Sequence, residues 1–136
     1  MKQEELMLGD YVQVNDEVCK VISISYFDIG ISDSKEDFYH EHIDNIKPIP
    51  LTPEILEKNG FEYIRFGYVE KEETCAIEAV HQWRLENSMF ALDDETWWRS
   101  IKDGKLHVKF GGFQLEYVHQ LQHTLRLCGI NKEIEI

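Results

Sequence analysis

Glu116, His119 and His123 stand at i, i+3 and i+7 within residues 113–128. On a helix the two imidazoles are one turn apart, a spacing with which two histidines share a divalent cation. Glu116 could add a carboxylate from the preceding turn, and the chemistry would be metal-assisted hydrolysis. The same residues also describe a solvated polar face. Gln120 follows His119 where an H-E-x-x-H helix carries its glutamate, Gln122 is a further polar neighbour, and no third and fourth ligands are identified. The reading favoured here is the solvated face, on which His119, Gln120 and His123 are candidates for contact with a partner. The alternative is a metal-dependent hydrolase using Glu116, His119 and His123.

Other residues invite chemistry less directly. His40 and His42 flank Glu41, and on a strand they share a face, as expected of an exposed edge. Cys75 and His81 would need contact in space and a third orienting group to make a nucleophile. Gly111 and Gly112 precede the helical stretch but lack the lysine and the longer spacing of a phosphate loop, so they read as a tight strand-to-helix connection. Adjacent Trp97 and Trp98 place one ring inward and one outward if they lie on a strand, and an outward tryptophan is a binding anchor. No catalytic residue, cofactor or metal is assigned from these patterns.

The whole-chain charge narrows the partners. The 136 residues carry a formal charge of −12, with 13 acids against 5 bases over residues 1–60 and 13 against 9 over residues 61–136. Neither part is basic, so direct nucleic-acid binding and anionic membrane surfaces are disfavoured. An acidic protein can meet a basic protein or imitate nucleic acid, and the nucleic-acid mimic stands as a further alternative. The three cysteines, Cys19, Cys75 and Cys128, lie more than fifty residues apart, which fits buried free thiols in a reducing compartment. The polar start of the chain is unlike a signal peptide, and no apolar run approaches membrane-spanning length. Together these predict a cytoplasmic location.

The elements that must position these residues follow from periodicity. Tyr11, Val12, Gln13 and Val14 alternate, Asn15 and Asp16 mark a turn, and apolar residues resume from Val18. Further short strands are expected over residues 26–31 and 38–43, so residues 1–50 read as an SH3-like small β-barrel. Pro48 and Pro50 hold an extended hinge. Thr52 then caps a short helix with Pro53 at its first position, which Asn59 and Gly60 end. Residues 51–136 read as an α+β lobe. It is an antiparallel meander with strands over residues 61–69, 74–85, 89–92, 97–101 and 106–110, under one helix over about 113–128. Leu115, Val118, Leu121, Leu125 and Cys128 make that helix's apolar stripe. Residues 132–136 alternate and predict a last edge strand. The fold class is therefore α+β.

Three stretches resemble a group of small uncharacterised proteins from Bacteroidetes genomes, many linked to prophages or mobile elements. They are Leu8-Gly-Asp-Tyr-Val12, Ile46-Lys-Pro-Ile-Pro-Leu-Thr-Pro-Glu-Ile-Leu-Glu-Lys-Asn-Gly-Phe61 and Tyr117-Val-His-Gln-Leu-Gln122. The resemblance implies a bacterial or phage origin and transfers no catalytic residue. The function expected is a non-enzymatic protein-binding module with an unidentified protein partner, met through Trp97 or Trp98 and through His119, Gln120 and His123.

Overall fold

Asn15 and Asp16 both take left-handed backbone, at φ 51° and 65°, the geometry that folds two strands tightly on each other. They join β1 (Tyr11–Val14) to β2 (Glu17–Ile24) in antiparallel register, Val14 facing Glu17 and Tyr11 facing Lys20. The computed structural model describes residues 2–66, 80–96 and 105–136. Its chain divides into two compact units. One is Met1–Pro50 with Tyr117–Lys132, and the other is Leu51–Glu116 with Glu133–Ile136.

In the first unit β2 leads to β3 (Ile29–Ser32), β4 (Phe38–Glu41), a 3-10 turn at Ile43–Asn45 and β5 (Lys47–Pro48). The sheet order is β4-β3-β2-β1-β5, all antiparallel. Inward residues alternate along the strands. Val12, Val14, Cys19, Val21, Ile29 and Ile31 are buried with Leu6 and Ile46, and Tyr39 and Ile43 pack against them. The SH3-like barrel expected here is present only as this five-stranded sheet. Strands β4 and β5 are its edges, and no closed barrel is found among the described residues.

The second unit begins with helix α1 (Pro53–Lys58). As anticipated, Thr52 Oγ1 accepts from the Ile55 N–H at 3.2 Å, Pro53 opens the helix, and Gly60 leaves it at φ +83°. A second sheet follows as a plain meander: β6 (Phe61–Phe66), β7 (Val80–Leu85), β8 (Ala91–Asp94), β9 (Val108–Phe110) and β10 (Phe113–Leu115). Leu56, Leu92, Val108 and Ile134 are fully buried, with Phe61, Trp83, Leu85 and Phe90 beside them in the core. The expected strand at residues 97–101, its turn at Asp103 and Gly104, and Cys75 lie outside the described residues.

Four expectations for the C-terminal quarter are corrected. The helix α2 spans Val118–Leu127, shorter than residues 113–128. Phe113, Gln114 and Leu115 instead pair with Phe110, Lys109 and Val108, so Gly111 (φ +59°) and Gly112 turn a hairpin rather than lead into a helix. The helix also groups with the N-terminal sheet rather than with the lobe of residues 51–136. The Val118 N–H donates to the Ile49 carbonyl at 2.8 Å, Pro50 bridges to Tyr117, and α2 packs against β1. Residues 132–136 form no strand. Asn59 holds them by its side chain, donating to the Glu135 carbonyl and accepting from the Glu135 N–H, both at 2.6 Å.

Candidate functional site

Helix α2 presents its polar residues inward as well as outward. Val118, Leu121 and Leu125 are buried as the apolar stripe predicts, while Cys128 is exposed and Leu115 belongs to β10. His119 and Gln122 are buried too, at 3% and 7% exposure. The solvated face expected for these side chains is therefore overturned. A polar group accepts burial when its hydrogen bonds are replaced, and for Gln122 the backbone of Gly9 and Tyr11 replaces them. Gln122 Oε1 accepts from the Tyr11 N–H at 2.9 Å, and Gln122 Nε2 donates to the Gly9 carbonyl at 3.0 Å.

Asp10 anchors the same turn. Its carboxylate is fully buried and meets His123 Nε2 at 2.7 Å and Arg126 Nη1 at 3.4 Å. It also accepts from the Met7 N–H at 2.8 Å. Gly9 is required for the approach. Its φ is +88°, and a Cβ there would lie 3.1 Å from Arg126 Nη2. The His123 ring meets the His119 ring edge-to-face at 5.6 Å, and Tyr117 stacks on His119 at 5.9 Å. His119 Nδ1 is buried with no hydrogen-bond partner. Burial pushes the His119 imidazole below its ordinary pKa; the Asp10 carboxylate opposes that shift and His123 reinforces it.

An aspartate holding an imidazole is half of a nucleophilic site. The hydroxyl beside it, Thr124 Oγ1, is directed to the Gln120 carbonyl at 2.8 Å, and Gln120 Oε1 accepts from the Tyr117 N–H at 3.0 Å to begin the helix. Among the described residues no group of three His, Cys, Asp or Glu is placed to hold a metal ion, so Glu116 is not brought together with His119 and His123 as a ligand set. The cluster acts as a latch that fastens the turn before β1 to α2.

The second unit has a comparable polar set. Trp83 is buried, and its Nε1–H donates to Asp94 Oδ2 at 2.9 Å, while Asp94 Oδ1 accepts from the Thr96 N–H at 2.7 Å. Glu95 pairs with Lys109 at 2.6 Å. Trp97 and Trp98 lie outside the described residues. His40 and His42 do not share a strand face, because β4 ends at Glu41. His42 Nδ1 instead accepts from the Asp44 N–H at 3.2 Å, and His40 Nδ1 lies 3.3 Å from Asp28 Oδ1. Cys19 is buried beside Tyr39, and burial pushes its thiol up, away from a reactive thiolate.

The turn between β2 and β3 differs from all of these. A strand over residues 26–31 is expected from the sequence, yet β3 starts at Ile29, and Tyr26 and Phe27 form the tip of the hairpin. Their rings are 88% and 81% exposed and meet edge-to-face at 4.9 Å. The tip is braced from beneath. The Ser25 N–H donates to the Asp28 carbonyl at 3.0 Å, the Ser25 hydroxyl donates to the Asp28 carboxylate at 2.8 Å, and Gln3 Nε2 donates to the Ser25 carbonyl. Ile22 and Ile24 extend the apolar surface down β2 at 40% and 37% exposure. Sequence reading passes over this site because neither residue is a turn former. The signal present in the sequence is Ser25 and Asp28 three residues apart, each able to bond a turn backbone.

No family model, curated protein or solved structure matches this chain.

Proposed function

We propose that this chain is a non-enzymatic protein-binding module whose contact surface is centred on Tyr26 and Phe27. The observation that carries the reading is the exposure of both rings on a braced turn. Two large aromatic side chains in water lose the burial that would stabilise them in the core, by roughly 1.5–3 kcal/mol for a side chain of this size. Rings held in a fixed geometry are the residues that anchor interfaces, because little side-chain entropy is lost on docking. The buried Asp10 and the half-buried His123, by contrast, are occupied in holding the fold.

Under this reading the first unit is an open SH3-like barrel. Support comes from the four-strand meander whose first strand also takes the returning β5. No helix among the described residues is long and apolar enough to cross a membrane. The reading places the module in the cytoplasm, in keeping with the reduced Cys19 and Cys128. The resemblance to mobile-element proteins adds a phage or mobile-element setting.

A photo-crosslinking phenylalanine analogue at position 26 of the full chain tests this in a lysate of producing cells. The expected result is a discrete protein crosslinked from position 26, lost when Phe27 is changed to Ala. The control is the same analogue at Lys35, in the turn between β3 and β4. The same bands from both positions, or bands indifferent to Phe27→Ala, would overturn the reading.

A further inference from the structure

We propose that the segment docking on the Tyr26 and Phe27 tip is cationic, an arginine-rich stretch of the partner protein; this rests on the protein-binding reading above. Two observations point to it, one from the rings and one from their surroundings. An edge-to-face pair at 4.9 Å and 83°, with both rings more than four-fifths exposed, leaves aromatic face open to solvent. The face of an aromatic ring carries negative electrostatic potential and attracts a cation laid over it.

The surroundings carry the same sign. Gln3 ties the 3-10 turn Gln3–Glu5 to the tip through the Ser25 carbonyl, and the other two residues of that turn are the exposed acids Glu4 and Glu5. Ile29 pairs with Ile24 on one side and with Glu41 on the other, so β4 adds a carboxylate one strand further on. Asp28 closes the turn, and Asp44 follows in the 3-10 turn after β4, its side chain 84% exposed. Residues 2–5, 22–29 and 40–45 hold five acids against one lysine, Lys2, and no arginine, with His40 beside Asp28 and His42 beside Asp44. Apolar ring surface rimmed by carboxylates is complementary to a guanidinium, which stacks flat on a ring and offers its edge to a carboxylate.

The other occupants fit less well. A wholly apolar segment laid over the exposed Glu4 and Glu5 would have to desolvate their carboxylates, and burying an unpaired charge is costly. An anionic lipid surface would be repelled by the rim. A strand laid along the β4 edge would meet Phe38 and His40 rather than the tip.

The test uses the full chain and fluorescein-labelled dodecapeptides read by anisotropy in 0.15 M salt. One peptide alternates arginine with glycine, a second has lysine for arginine, and a third has leucine for arginine. The arginine peptide is expected to bind, the lysine peptide more weakly, and Tyr26→Ala with Phe27→Ala should weaken arginine-peptide binding about ten-fold. Tyr26→Leu with Phe27→Leu keeps much of the apolar area and removes the ring faces, and should weaken it similarly. Circular dichroism melts confirm that each variant is folded. Unchanged binding in the double alanine variant would reduce the effect to diffuse attraction by the acidic chain and overturn the inference. Ring-dependent capture of the leucine peptide alone would also overturn it while leaving the protein-binding reading intact. If no peptide binds, the cationic partner is wrong, and the crosslinking experiment decides protein binding separately.

Discussion

Gln122 is 7% exposed and Tyr26 is 88% exposed, the reverse of where a side-chain amide and a large aromatic ring usually sit. Both belong to the same unit, so the contrast separates two uses of an out-of-place residue. On α2 the side chains of Gln122 and His123 are tied to backbone and carboxylate groups of the turn before β1. They hold two segments together that are more than a hundred residues apart in the chain. At the β2–β3 turn the displaced aromatics touch little but each other, and the bonds that shape the turn come from Ser25, Asp28 and Gln3. A buried polar group with partners is accounted for by the fold. An exposed aromatic on a turn that would form without it is not, and it points outward to a partner.

The contrast breaks first, and hardest, at Asp10. Asp10→Ala leaves His123 and Arg126 facing a cavity and removes the acceptor for Met7. Losing one partner of a buried charged network costs on the order of 3 kcal/mol, somewhat less here because His123 and Arg126 are partly solvated. Urea unfolding should show a clear drop in midpoint with little change in slope. An effect under about 0.5 kcal/mol would mean that the latch does not hold the unit together.

Gln122→Ala comes next. It removes the side-chain acceptor of the Tyr11 N–H and the side-chain donor to the Gly9 carbonyl in one step. A cost of about 2 kcal/mol follows from taking hydrogen-bond partners away from buried backbone groups. Gln122→Glu separates geometry from chemistry in the same melt. It keeps an acceptor for Tyr11 but sets a buried carboxylate oxygen against the Gly9 carbonyl, so at neutral pH it should be no more stable than alanine.

The third test is a pH profile. Burial keeps His119 neutral and holds its folded pKa below the ordinary 6.5. As pH falls, the unfolded chain takes up the proton first, so stability is full above that value. It declines as pH drops through it, until the folded pKa is passed. Groups acting on the ring are Asp10 and Glu5, which resist the decline, and His123, which adds to it. Replacing His119 with Leu should shrink the loss of stability between pH 7 and pH 5.5, measured by thermal melts. A loss of the same size in His119→Leu would assign the pH response to other groups.

Much of the framework was legible because its signals are local. Alternation at Tyr11–Val14, left-handed formers at Asn15 and Asp16, and the Thr52 cap with Pro53 each act within a few residues. The extent of α2 was less legible, since Phe113, Gln114 and Leu115 are apolar at the ends and polar in the middle, a pattern a strand uses as readily as a helix edge. Only pairing with β9 decides it. The burial of His119 and Gln122 was not legible at all, because their environment is made by Gly9, Asp10 and Tyr11 from the other end of the chain. The tip was missed for a related reason. Tyr26 and Phe27 have strand propensity, and the bonds that force a turn there come from Ser25 with Asp28 and from Gln3.

The smallest expected effect on stability is the most discriminating. Tyr26→Ser with Phe27→Asn replaces the aromatic pair by small polar residues that the turn accepts, since neither position has positive φ. Ser25 and Asp28 stay in place, and the two rings contribute exposed surface rather than core, so little packing is lost. The variant should unfold within about 0.5 kcal/mol of the parent, because surface substitutions that leave the bonds of the turn in place change stability little. It should also bind no arginine peptide through the tip. A loss beyond about 1 kcal/mol would show that the rings pack on the sheet and that their exposure is a consequence of the fold. A neutral result leaves them with no structural role in the unit, so the reason for two aromatic residues at this turn must lie in whatever meets them.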